Sequence, residues 1–462
     1  MALSEVDMRE KCDMSQAQKI SSGLNTALEM RDALASGSIS ARALIETVLG
    51  NIEALDDDVQ AFTYVDTKGA LDQADMLDTY RISGKPLGPL HGVPVVFKDI
   101  IDVKSMPCER GSDLFKGRIP AADAQIVSLL REAGAVILGK TVTTEMAYFA
   151  PGKTRNPHNL DHTPGGSSSG SAASVAGGMV PLSIGSQTNG SMIRPASFCG
   201  IYAYKPSFGR ISRTGVLRTS GHLDTLGIFA RSLDDLALLA DVVMAYDARD
   251  EYMSLVPRPA IAELMKQDLV GAPRFAFMRT PYWDKADEGT KDAFRELLDT
   301  LEGTVDIVDM PPIFTKVHEA HGKLMSSDFA LELGDLYRED KDKMSSHLTE
   351  IIERGQGVSS EDLKEVFELQ EACSDLLDTY FDDYDAILSP SSCGEAPKGL
   401  SNTGDPGFST VWQFTGRPCL NLPLFEGPNG LPLGAQLVGQ RDWDGRLFSV
   451  ARHFLKSLEE GE

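Results

Sequence analysis

Five short runs of this chain are apolar almost without interruption: "GVPVVFK" (92–98), "AVILGKT" (135–141), "VPLSIG" (180–185), "YDAILSP" (384–390) and "CLNLPLF" (419–425). A strand that alternates apolar and polar residues has one wet face, whereas a strand apolar at every position needs cover on both. Between these runs lie helix patterns such as "DAQIVSLLREAG" (123–134) and "SLDDLALLADVV" (232–243), the second opened by Ser232 and Asp235 in a capping-box-like arrangement. Runs buried on both faces, alternating with helices, predict an α/β fold with a mixed, mostly parallel β-sheet flanked by helices on both sides.

The N-terminal part, about 1–80, reads as helical. In "SARALIETVLGNIEAL" (40–55), Leu44, Ile45, Val48, Leu49, Ile52 and Leu55 share one helical face behind Ser40 as N-cap. The core sheet is expected over about 90–250 and 384–455. Residues of about 280–383 are charged and helical in pattern, poor in strands apart from "TVDIVDM", and read as a helical elaboration on the sheet. All 462 residues then form one domain.

Composition narrows the function. The formal net charge is −24, from 68 acidic against 44 basic residues, which repels phosphate backbones and anionic membranes. The expectation is no nucleic-acid partner and no membrane. The opening "MALSEVDMREKCDMS" has no basic region followed by an apolar core, and no apolar run reaches the length of a membrane span. Cys12, Cys108, Cys199, Cys373, Cys393 and Cys419 are scattered without a C-x-x-C pair, as expected of reduced thiols in a cytoplasm.

The chemistry centres on "PGGSSSGS" (164–171). A Gly/Ser run is ordinarily a flexible linker. Here Ala172, Ala173, Val175 and Ala176 follow, then the buried-strand run "MVPLSIG", and a floppy linker has no place between a packed helix and a core strand. Two catalytic motifs fit formally and fail physically. Gly134–Thr141 satisfies G-x-x-x-x-G-K-T, but a phosphate cradle needs its intervening residues to turn, and Ala135, Val136, Ile137 and Leu138 form a strand instead. Gly166–Gly170 satisfies G-x-S-x-G with Ser168 central, yet the preceding "TRNPHNLDHTP" is no strand, and no later histidine sits in a recognisable triad loop.

The third reading uses serines and a lysine. Residues 165–209, "GGSSSGSAASVAGGMVPLSIGSQTNGSMIRPASFCGIYAYKPSFG", resemble the signature segment of the amidase signature hydrolases. "HGVPVVFKDIID" (91–102) resembles that family's lysine-bearing strand, and "YDAILSPSS" with "GRPCLNLP" its C-terminal core. The resemblance implies a single amidase-signature-type domain that cleaves a carbon–nitrogen bond without metal or organic cofactor. It implies Lys98 as base, Ser167 as relay after an unusual cis peptide, and Ser191 as the nucleophile that carries the acyl group. It further implies an oxyanion hole from the backbone N–H groups of Thr188, Asn189, Gly190 and Ser191. Lysine serves as a base only where burial keeps it neutral part of the time. Ser168 and Ser169 are left with supporting or helix-capping roles.

Two departures from the family pattern bear on its branches. Asn189 replaces a glycine, which Asn's tolerance of left-handed backbone would excuse. Gln187 replaces an acid, which is taken to argue against the glutaminyl-tRNA amidotransferase branch. Arg194, three residues beyond Ser191, resembles the arginine with which a malonamidase-like branch holds a substrate carboxylate; a structural arginine tying the loop is the equal alternative. His318 and His321, three apart on a helix, line a pocket more readily than they bind metal. The expected partner is a small-molecule amide, with a homodimer as the assembly to look for. Ester or urea-type hydrolysis by the same triad, and a non-catalytic family member, stay open.

Overall fold

The computed structural model describes residues 23–460, so Cys12 and the opening "MALSEVDMREKCDMS" lie outside the described residues. Eleven strands form one sheet: β1 Phe62–Val65, β2 Pro94–Lys98, β3 Val136–Thr141, β4 Leu182–Gln187, β5 Tyr202–Lys205, β6 Thr225–Ala230, β7 Phe275–Arg279, β8 Val305–Asp309, β9 Ala386–Pro390, β10 Cys419–Glu426 and β11 Pro432–Val438. Their order is β1-β3-β2-β4-β6-β5-β10-β11-β9-β7-β8. All residues of β2, β3, β4, β6 and β9 are buried, so helices and loops cover both faces of the sheet there. All five quoted apolar runs contribute to strands, and the fold is the α/β arrangement expected.

The parallel share is smaller than expected. Six of the ten strand pairings are antiparallel and four are parallel. The parallel pairs lie toward the two ends, β3–β2–β4 and β9–β7–β8, and the centre from β4 to β9 is antiparallel throughout. An unbroken apolar run reports burial on two faces and carries no sign of strand direction, so the sequence pattern overstates the parallel part.

The local signals hold in part. Ser40 Oγ accepts from Ala43 N at 3.1 Å and caps the helix Ala41–Val59. Ser232 Oγ likewise accepts from Asp235 N at 3.1 Å at the head of Leu233–Val243. Asp235 does not close a capping box: its buried carboxylate accepts from Ala27 N and Leu28 N at 3.0 and 2.9 Å, capping the helix Ala27–Ser36 across 207 residues of chain. β1 falls inside the N-terminal part read as helical, and β8 is the "TVDIVDM" run, paired in parallel with β7. Among the described residues no helix is long and apolar enough to cross a membrane.

Candidate active site

Lys98 ends β2 and is wholly buried. Its Nζ donates to Ser167 Oγ at 2.7 Å and to Ser186 Oγ at 2.8 Å. An ammonium without water is unfavourable, and burial lowers the Lys98 pKa from 10.5 to about 7; Asp224 raises it and Arg194 lowers it to lesser extents. Lys98 is therefore protonated only part of the time near neutrality. Lys140, the lysine of the Gly134–Thr141 motif, is instead buried on β3 with Nζ 2.9 Å from Asp99 Oδ1. That stretch is a core strand and presents no phosphate cradle.

Ser167 follows a cis Gly166–Ser167 peptide and precedes the helix Ser169–Ala176. Gly165, at φ +84°, lets the chain turn where a Cβ would lie 2.8 Å from Pro195 Cα. The neighbouring serines hold the segment in place. Ser168 Oγ donates to Ser186 O at 3.1 Å and accepts from Ser186 N at 3.3 Å, which ties the segment to β4. Ser169 Oγ donates to Gly165 O at 2.8 Å. Ser168 makes no side-chain cap bond, so its part is to join segment and strand.

Residues 187–191 run from the end of β4 to the short helix Ile193–Cys199 and are gripped from several sides. Gln187 Oε1 accepts from Met192 N at 2.9 Å and Ile193 N at 3.2 Å, while its Nε2 donates to Gln413 Oε1 at 3.0 Å. Thr188 Oγ1 donates to Asp224 Oδ1 at 2.6 Å, and Thr188 O lies 3.0 Å from His321 Nε2. Asn189 Oδ1 accepts from Thr410 Oγ1 at 2.9 Å. Asn189 is not among the residues of positive φ, so its side chain serves as an anchor and its left-handed tolerance is not used. Gly190 passes Pro406 where a Cβ would come within 2.8 Å of Pro406 Cβ. Among the described residues, the N–H groups of Thr188, Asn189, Gly190 and Ser191 donate to no protein acceptor.

Ser191 is half-buried at the end of this loop, and its hydroxyl makes no hydrogen bond among the described residues. Lys98 and Ser167 are thus brought together directly. No hydrogen bond joins Ser167 to Ser191 among the described residues, and Lys98 meets Ser186 as its second hydroxyl.

Arg194 has both tying hydrogen bonds and nitrogens without a partner. Its side chain is buried, and Nη2 donates to Gly166 O and, at 3.2 Å, to Thr403 Oγ1, so it does tie the serine segment to the loop at 403. Its Nε and Nη1, also buried, have no protein partner among the described residues. Burial lowers its pKa to about 10, against a smaller opposing effect of Asp405. His318 Nε2 lies 3.1 Å from Gly407 O and its ring stacks on Tyr282. Among the described residues no three His, Cys, Asp or Glu side chains are grouped to hold a metal.

A small pocket adjoins Ser186 and Thr188. Ile100, Ala147, Val216 and Leu217 form its apolar wall, and Arg218 and Asp224 its polar one. The sequence marks His321 as a pocket-lining residue and not as a clamp on this loop, and it does not single out Ser186, Asp224, Thr410 or Gln413. Ser186 alone carried a local signal, as a hydroxyl within the motif itself; the others reach the loop from 36 to 226 residues away, over contacts that no local pattern records.

The family model described as Amidase matches residues 43–448. The A subunit of glutamyl-tRNA(Gln) amidotransferase from Salinispora arenicola (strain CNS-205) is 33% identical, over 92% of this chain and 96% of its own length. Its counterpart from Lysinibacillus sphaericus (strain C3-41) is 31% identical over 94% of this chain and 96% of its own. A solved structure described as a vestigial protein complex that reveals the evolutionary origins of an s-triazine catabolic enzyme superposes with a TM-score of 0.87, at 28% identity, over 93% of this chain and 98% of that one.

These relatives overturn two expectations. The exclusion of the amidotransferase branch rested on Gln187 and on acidic composition, with Arg194 pointing to a malonamidase-like branch, and Gln187 does not discriminate. Its Oε1 accepts the two N–H groups that a carboxylate oxygen there would accept, and Gln413 satisfies the amide nitrogen that a carboxylate lacks. The exclusion of nucleic acid rested on net charge. Charge summed over one chain does not describe an assembly, and relatives named for an enzyme of glutamyl-tRNA(Gln) contradict the inference.

Proposed function

The chain belongs to the amidase family, hydrolases of carbon–nitrogen bonds, and from that premise we propose that it cleaves an amide through a Ser191 acyl-enzyme, with Ser167 and Lys98 moving the protons. The observation that carries this reading is the wholly buried Lys98, hydrogen-bonded to Ser167 Oγ at 2.7 Å and with its pKa lowered to about 7. Neutral Lys98 takes the proton of Ser167, which takes that of Ser191 as Ser191 Oγ adds to the amide carbon. Negative charge then gathers on the former carbonyl oxygen, where the unengaged N–H groups of residues 188–191 stabilise it; one such donor is worth about 3 kcal/mol in the transition state. The proton returns to the amide nitrogen as the carbon–nitrogen bond breaks. Water then hydrolyses the acyl-enzyme by the same route.

The expected outcome is that Ser191→Ala abolishes turnover and labelling by a fluorophosphonate probe, and that mass spectrometry finds the wild-type adduct on the peptide carrying Ser191. An adduct on Ser168 would return the esterase reading.

We further infer a carboxylate-bearing amide as substrate, because Arg194 holds two buried nitrogens, Nε and Nη1, without a protein partner among the described residues. Arg194→Lys is expected to raise KM for carboxylate-bearing amides such as glutamine about ten- to a hundredfold and to leave neutral amides nearly unchanged. Equal losses on both, with a lowered Tm, would make Arg194 structural.

A second reading comes from the relatives: the chain works within an amidotransferase, its triad freeing nitrogen from an amide for use elsewhere in the assembly. Nitrogen release that stays slow in isolation and rises on adding partner subunits and glutamyl-tRNA would favour it. The described cysteines are free thiols, which suits a cytoplasmic setting for either reading.

A further inference from the structure

We propose that His321 is a positioning residue of the oxyanion loop, its neutral imidazole holding the Thr188 carbonyl so that the N–H groups after it stay aimed at the reacting carbonyl oxygen. The inference rests on the Ser191 reading above and deepens it.

His321 lies on the helix Val317–Asp340, far from the motif in sequence, and is 1% exposed. Its Nε2 is 3.0 Å from Thr188 O. A carbonyl oxygen only accepts, so Nε2 carries the hydrogen and the tautomer is set. Burial keeps the ring neutral, lowering its pKa to about 4, with His318 on the same helix a smaller contribution in the same direction. A planar trans peptide points its C=O and the following N–H in opposite directions, so fixing Thr188 O fixes the direction of Asn189 N–H. The side chains on either side of that peptide are held as well, Thr188 Oγ1 by Asp224 at 2.6 Å and Asn189 Oδ1 by Thr410 at 2.9 Å. The one polar group of the peptide left without a protein partner among the described residues is the N–H itself. Donors aimed before the reaction need no reorganisation during it, which is where such groups draw their effect.

Three variants test this against wild type with one amide and one fluorophosphonate probe. In His321→Leu the donor is gone. In His321→Gln an amide nitrogen stands close to where Nε2 stood, and in His321→Asn it falls short. The expected result is a fall in kcat of about ten- to a hundredfold in the Leu and Asn variants, KM within about twofold of wild type, and a matching fall in the probe's labelling rate. His321→Gln should recover most of both rates. If the Leu variant does not fold, the Gln and Asn pair, both polar and differing in reach, carries the comparison. Unchanged kcat in Asn, or equal loss in Gln and Asn, would overturn the proposal. Ser191→Ala run alongside keeps the two readings apart: turnover surviving in that variant refutes the Ser191 mechanism, whereas turnover lost there with the His321 variants unaffected refutes only the role of His321.

Discussion

At the scale of single residues, the site turns on how a buried lysine is used. Lys98 loses its proton around pH 7 because burial disfavours the charged form, so below that pH the base is occupied and above it free. kcat is expected to rise with pH through about 7, an apparent value that belongs to the coupled lysine and serine unit. Ser186 is part of that unit, since it accepts from Lys98 Nζ at 2.8 Å. Removing it takes away an acceptor that favours the ammonium, so in Ser186→Ala the rising limb should move to lower pH, a shift that a pH-rate profile reads directly. A limb that does not move would limit Ser186 to packing. Lys98 at the end of an apolar run, the adjoining serines and Arg194 were all visible in sequence. Ser186 lies inside the motif without a local mark of its role, because its importance comes from the alignment of β4 beside β2, where Phe97 stands opposite Ile184.

The serine segment shows how an element can demand particular residues throughout. The helix Ser169–Ala176 is made of small residues because it lies against backbone. A Cβ on Gly170 would overlap Ala61 O and come within 2.5 Å of Val142 N, where Gly170 N already donates to Val142 O at 3.0 Å. Gly170→Ala is therefore expected to cost at least about 2 kcal/mol, since neither neighbour is a side chain that can swing aside; thermal or urea unfolding checks it. The same helix carries Ser171, whose Oγ donates to Ile184 O at 3.2 Å and lies 2.7 Å from Thr141 Oγ1, joining β4 to β3. A Gly/Ser run that reads as a linker by composition is thus among the most constrained stretches of the chain.

Across the whole molecule, the sheet leaves β8 as an edge strand, with Asp306 and Asp309 paired to Arg274 and Arg279 and with Ile307 57% exposed. Charged residues along an edge discourage pairing with another chain, and Ile307 is the gap in that protection. Ile307→Lys is expected to change Tm by no more than about a degree or two while reducing aggregation on heating, as light scattering would record. What the sequence determined by itself is what local chemistry can encode: strands buried on both faces, helices with their caps, and a lysine-bearing strand followed by a serine-rich signature segment in recognisable order. Strand direction, the Asp235 cap on a distant helix and the clasp on residues 187–191 by Asp224, His321, Thr410 and Gln413 were decided only by tertiary structure. Each depends on which distant segments the sheet order sets side by side, and apolar patterning specifies how much of a segment is buried without specifying against what.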